Sequence, residues 1–207
     1  MANYTQLLAD VQSWLNRTDA DVIANIPNFI NLAEIRICRE CENIGLVQTV
    51  FSAGFTIGQN VIPKPTGWRK PLSFTVFANG SINQVNLRDI DVLELYWPDD
   101  TLTGVPKYYA DADINYLKVA PTPDQEYAFK LAYLQYPTPL SANNQNNWLT
   151  DYIYDILLYG SLIAAMPYIK NDERLPMWEA SYNRGIESLN KQDKTRIVDK
   201  ASNREAD

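Results

Sequence analysis

Histidine is absent from the sequence. That gap removes the commonest general base, the serine and cysteine triads that depend on it, and most transition-metal sites. Cysteine is nearly as scarce: Cys38 and Cys41 make one Cys-x-x-Cys unit, and a tetrahedral zinc site needs two more ligands that the usual set does not supply here. Inside a predicted helix, these thiols read as reduced and partly buried. The eight glycines never form Gly-x-Gly, which argues against a glycine-rich phosphate loop. No metal site, catalytic group or cofactor is therefore expected. Long apolar runs are missing too. The most apolar segment, Ile153 to Ile169, contains Asp155 and Pro167 and is shorter than the ~20 apolar residues a membrane span needs. No basic-then-apolar stretch follows Met1, so synthesis in the cytoplasm is expected. The Asn-x-Ser/Thr triplets at Asn3, Asn16 and Asn79 then meet no glycosylation machinery. Positive charge is also in deficit: a net charge of −7 argues against gripping nucleic acid by phosphate neutralisation.

What is present is apolar and aromatic. With 207 residues, 46% of them apolar, the chain is long enough to bury a sizeable core in one domain, or in one domain with a large insertion. Thirteen tyrosines and five tryptophans suit half-buried amphipathic surface of the kind that meets partner proteins.

The order along the chain reads helix pair, β-rich middle, helix pair. Leu7, Leu8, Val11, Trp14 and Leu15 form one helical stripe. A second helix is expected to begin near Pro27 with Asn25 as its cap, burying Phe29, Ile30, Ala33 and Ile37, because proline suits a first turn. Glu34, Arg36, Arg39, Glu40 and Glu42 then fall on the other faces and read as solvated surface or a subunit contact.

From Leu46 the period changes. Val47 to Phe51, Phe55 to Ile57 and Leu72 to Phe77 are β-branched and aromatic runs that predict strands. Asn79-Gly80 between alternating stretches predicts a two-residue hairpin turn. Pro63, Pro65 and Pro71 enclose a loop around Trp68, since proline is denied a central-strand role. Arg88 to Tyr96 reads as a short helix or turn, and Lys107 to Asp111, Tyr116 to Ala120 and Tyr127 to Tyr136 as further strands.

The C-terminal hairpin is the most informative feature. Asn147 is a plausible cap, and Leu149, Tyr152, Ile153, Ile156, Leu157 and Ile163 form a stripe wide enough to be buried on two sides. Gly160, Ser161, Ala164 and Ala165 leave room for a second helix to approach closely. Pro167 kinks or ends the first helix. Beyond the polar turn Lys170 to Glu173, Leu175, Trp178, Tyr182, Ile186 and Leu189 make a regular seam. The expected fold is α+β: a helical bundle from residues 1–45 and 141–192, an inserted β-rich domain over 46–140, and a flexible tail over 193–207.

Two local clusters invite chemistry. Asp111-Ala112-Asp113 opens like a calcium loop, but Tyr116 and Thr122 stand where that loop needs Gly and Glu, so a charged strand-turn is the better reading. Asp99 and Asp100 with Glu94 could serve a carboxylate hydrolase, yet carboxylates flanking Pro98 are ordinary turn chemistry.

Several segments carry a family likeness. They are Trp14-Leu15-Asn16-Arg17, Ile26-Pro27-Asn28-Phe29-Ile30-Asn31-Leu32-Ala33-Glu34, Gly104-Val105-Pro106-Lys107-Tyr108-Tyr109 and Leu117-Lys118-Val119-Ala120-Pro121-Thr122-Pro123. Asn147-Trp148-Leu149, Tyr159-Gly160 and Asp172 to Glu179 complete the set. In this order and spacing the chain resembles the head-to-tail adaptor, or head-completion, proteins of short-tailed phages. The loop from Pro63 to Pro71 departs most, being longer and richer in proline than the family pattern.

The resemblance implies a structural virion protein: a dodecameric ring of copies of itself that docks beneath the portal protein and offers its other face to the tail or nozzle. Genomic DNA would pass through without sequence-specific binding. It also implies a C-terminal extension that reaches the portal, here Lys191 to Asp207, with Lys191, Lys194, Arg196, Lys200 and Arg204 as the portal-binding candidates. Low apolar content predicts that this extension orders on assembly. The alternatives are another virion assembly or tail-completion module, and a cell-wall hydrolase using Glu94, Asp99 or Asp100.

Overall fold

The computed structural model describes residues 2–41, 44–52, 54–169 and 173–202, with backbone alone at residue 44 and from residue 193 onward. The helices are α1 (Tyr4–Leu15), α2 (Ala20–Glu40), α3 (Ile90–Tyr96), α4 (Trp148–Tyr152), α5 (Tyr154–Ile169) and α6 (Leu175–Ser202). The strands are β1 (Val47–Ser52), β2 (Val61–Pro63), β3 (Trp68–Ala78), β4 (Ser81–Leu87), β5 (Tyr108–Asp111), β6 (Tyr116–Ala120) and β7 (Ala128–Gln135). The fold is α+β, in two compact units: Met1–Leu46 with Pro137–Asp207, and Val47–Tyr136.

In the helical unit, α1 starts where the Asn3 side chain accepts from the Gln6 N–H at 2.8 Å. It ends at Asn16, whose φ of 52° is left-handed. Its stripe of Leu7, Val11 and Leu15 is buried, as helical spacing requires. α2 begins seven residues before Pro27, which corrects the expected start. Val22 and Ile26 extend the buried stripe of Phe29, Ile30, Ala33 and Ile37, and Pro27 lies on the exposed side, where water can meet the carbonyl it leaves unpaired. Asn25 is no cap; its side chain donates to the Asp21 carbonyl at 2.8 Å.

The stretch after Asn147 is two helices, α4 and α5, with a break at Ile153 (φ −136°). Asn147 does cap α4, accepting from the Leu149 and Thr150 N–H groups while Thr150 returns a bond to the Asn147 N–H. The break shifts the helical phase so that Leu149, Ile153, Ile156 and Leu157 all reach the core. Tyr152, expected in the same stripe, is turned outward and is 74% exposed. α5 is apolar on all sides and packs against α1, α2 and α6; Pro167 stands inside it, two residues before its end. Close approach depends on glycines on facing helices. A Cβ on Gly185 of α6 would lie 2.6 Å from Ile156 Cγ1, and one on Gly160 of α5 would lie 3.1 Å from Ala33 Cβ and 3.3 Å from Tyr182. The α6 seam buries Trp178, Tyr182 and Leu189. Its backbone runs on as helix to Ser202, past the expected end at Gln192.

Glu34 is buried at 5% exposure, not solvated. Its carboxylate accepts from the Leu140 N–H at 3.2 Å and from Asn147 Nδ2 at 2.7 Å, tying the returning chain to α2. Burial holds its carboxyl above the ordinary range, outweighing those hydrogen bonds. Glu42 lies outside the described residues.

The β unit is a seven-stranded sheet in the order β1-β7-β3-β4-β5-β6-β2, with β4 and β5 parallel and the other pairs antiparallel. Asn79 (φ 53°) and Gly80 (φ 73°) make the β3–β4 turn, the left-handed pair that a tight hairpin demands. Phe55 to Ile57 is not a strand. Phe55 makes one backbone bond, to the Tyr127 carbonyl, and plugs the core with its ring 4.7 Å from Phe129; Gly58 (φ 74°) then turns the chain. The region assigned to a proline loop contributes β2 and the start of β3. Pro63 is tolerated at a sheet edge, and Pro71 sits at a register shift where β3 has only β7 beside it.

Candidate functional site

The pairing register divides the sheet into two faces, since side chains alternate along each strand. One face holds Phe74, Val76, Val85, Phe129 and Leu131, buried with Phe55, Leu117 and Val119. On the other, Phe51, Lys130, Thr75 and Gln84 stand in one row, and Ala128, Phe77 and Ile82 in the next but one. Tyr108, Ala110 and Ala120 continue this outer face onto β5 and β6. There α3 covers it, burying Leu93 against Ala110 and Ala120.

Over these two rows the outer face is open, whereas Leu134, farther along the same face of β7, is buried. Phe51 is 69% exposed and Ile82 72%. The only charged side chain in those two rows is Lys130, whose ammonium lies 5.2 Å from the Phe51 ring centroid, a cation–π contact.

The outward side of α3 and the turn after it form the second surface. Leu95 is 75% exposed and Tyr96 66%. Asp89, Asp91, Glu94, Asp99 and Asp100 flank them in the sequence, all exposed. These carboxylates do not converge on a shared centre. Glu94 pairs with Lys118 at 3.8 Å, Asp100 accepts from Asn60 Nδ2 at 2.5 Å, and Asp99 accepts from the Thr101 N–H at 2.9 Å. That last bond holds the Asp99 carboxyl below its usual range, suiting an anion rather than a proton donor.

Asp111 and Asp113, where a calcium pattern begins, are engaged otherwise. The Lys64 ammonium sits against Asp111 and the Asp113 carbonyl, while the Asp113 carboxylate accepts from the N–H groups of Asn115 and Tyr116 at 2.6 and 2.8 Å. Lys64 thereby ties the proline-rich segment to the β5–β6 turn. Among the described residues no group of three or more His, Cys, Asp or Glu could hold a metal ion, and Cys38 and Cys41 are both buried. A cleft of about 260 Å³ in the β unit is lined by Val50, Phe55, Ile62, Phe129 and Leu131 among others, with no titratable side chain on its wall. No helix among the described residues is long and apolar enough to cross a membrane.

Of the portal-binding candidates, Lys191 lies on α6 and is exposed. Lys194, Arg196 and Lys200 fall where only the backbone is described, and Arg204 lies outside the described residues. The two apolar surfaces of the β unit escaped sequence reasoning because Phe51, Phe77 and Ile82 alternate as core residues do. Only the placement of α3, which covers that face at β5 and β6, separates them from the core.

Comparison with curated proteins found no match. The sequence profile of the SU10 adaptor protein family matches residues 2–205, and over nearly its whole length this chain belongs to that family of phage head-to-tail adaptors.

Proposed function

We propose that the protein forms a ring that joins the portal to the tail or nozzle of a virion and continues the DNA channel. The observation that carries this reading is the family match over residues 2–205. The open outer face of the β unit, with Phe51 and Ile82 exposed, supports it, because contiguous apolar surface marks an interaction site. In this reading the helix pairs at the two ends of the chain make one bundle that is the rigid body of each subunit. The ring is dodecameric, and Lys191, Lys194, Arg196, Lys200 and Arg204 of the C-terminal extension meet the portal. The net charge of −7 suits a channel that repels phosphate and lets DNA slide.

The test is truncation after Gln192. The shortened protein should keep its melting profile, with helical circular dichroism reduced only by the end of α6 that is removed, and lose portal binding in a pull-down; a truncated protein that still docks normally would refute the assignment. A steep salt dependence of tight DNA binding would contradict a channel that does not grip.

A further inference from the structure

We infer that the open part of the outer sheet face is covered, in the assembled ring, by the acidic ridge on α3 of the neighbouring copy. The inference rests on the ring reading above and names its contact. Both surfaces belong to the same unit, Val47–Tyr136, and both are exposed in the single chain. Their chemistry is complementary. The sheet face offers Phe51, Phe77 and Ile82 with the Lys130 ammonium, which has no salt bridge among the described residues. The ridge offers Leu95 and Tyr96 with the exposed carboxylates of Asp89, Asp91 and Asp99, while Glu94 is paired with Lys118 and Asp100 with Asn60. Apolar area meets apolar area, and the charges at the rim are opposite in sign, the pattern that selects one partner and orientation over others.

The fold already shows how this face is covered. At β5 and β6 the inner side of α3 buries Leu93 against Ala110 and Ala120. Along the rows of Phe51 and Ile82 the same face continues with Phe51, Phe77 and Ile82 exposed. A neighbour's α3 ridge arriving there completes a layer that the chain itself builds only halfway. Because the two surfaces differ, the contact is head-to-tail, and repetition of a head-to-tail contact about one axis closes a ring. A face-to-face contact would stop at a dimer.

The test uses two full-length variants, Ile82→Asp on the sheet face and Leu95→Asp on the ridge, with assembly read by mass photometry with and without portal. Both positions are exposed, and circular dichroism should match the unsubstituted chain. Each variant alone should assemble about tenfold more weakly or worse, as expected for loss of a central apolar anchor. Mixed in equal amounts, the two should form heterodimers and nothing larger, because each supplies the surface that the other has lost. If the unsubstituted chain forms rings and either variant does so equally well, the contact is wrong while the ring reading stands. The same conclusion follows if Ile82→Asp or Leu95→Asp keeps its rings but loses the tail or the portal. If the unsubstituted chain stays monomeric with portal present, the ring reading falls and this contact with it.

Discussion

Replacing Glu34 probes the joint that ties the returning chain to α2. Glu34→Ala leaves the buried Leu140 N–H without its acceptor and removes the shorter bond of Asn147 Nδ2, though that amide keeps the Thr138 carbonyl at 3.1 Å. An unsatisfied buried donor costs about 1–3 kcal/mol, and bonds to a charged group are worth about 1.5–3 kcal/mol. Relief of the buried charge offsets part of this, leaving a net loss of about 3 kcal/mol. In a chain of this size that lowers Tm by roughly 6–12 °C. Glu34→Gln keeps an acceptor for both donors and sheds the charge, so it should cost little. The pH dependence separates the two effects. The folded state holds the Glu34 proton more tightly than the unfolded state does, so its contribution is complete below the ordinary value of 4.5 and is lost as pH rises through the raised one. Over that window Glu34→Gln should gain on the unsubstituted protein as pH rises. Thermal melts from pH 4 upward, followed by circular dichroism at 222 nm, check this. The reasoning is refuted if Glu34→Gln is as damaging as Glu34→Ala at every pH, or if Glu34→Ala melts normally.

Gly160→Val should destabilise the helical unit by about 1–3 kcal/mol, seen in denaturant melts, because no space remains for a branched side chain between Ala33 and Tyr182. Tyr182→Phe, which removes the 2.7 Å bond from the tyrosine hydroxyl to Glu40, should cost about 1–2 kcal/mol by the same assay. Burial holds the Tyr154 and Tyr182 hydroxyls above the ordinary tyrosine value, with hydrogen bonds to Asp10 and Glu40 adding to the shift. Both should stay protonated in an alkaline spectrophotometric titration until the fold opens. Substituting Ala at both Asn79 and Gly80, whose φ angles are positive, should lower the β-unit stability by about 1–3 kcal/mol, with amide exchange quickening first in β3 and β4.

Local signals were the legible ones. Asn147 announces its cap and Asn79-Gly80 its turn because the chemistry lies within three residues of the cause. The α+β class follows from the change of period near Leu46 for the same reason. What was hidden depends on distance along the chain. Glu34 reads as a surface charge until Leu140 and Asn147 return to it from more than a hundred residues away. Pro27 reads as a helix start because its own conformational limits are visible, while the burial of Val22 and Ile26 that carries the helix through it is not. Phe55 has strand chemistry and serves as a plug. On the outer face, Ile82 is indistinguishable in sequence from a core residue, since alternation marks two faces without saying which one is covered.

Electron microscopy of the full-length protein mixed with its portal tests the central claim most directly. The account expects a closed ring seated on the portal, with the C-terminal extension of each subunit against it and a continuous axial channel. Unattached monomers in the presence of excess portal would contradict it.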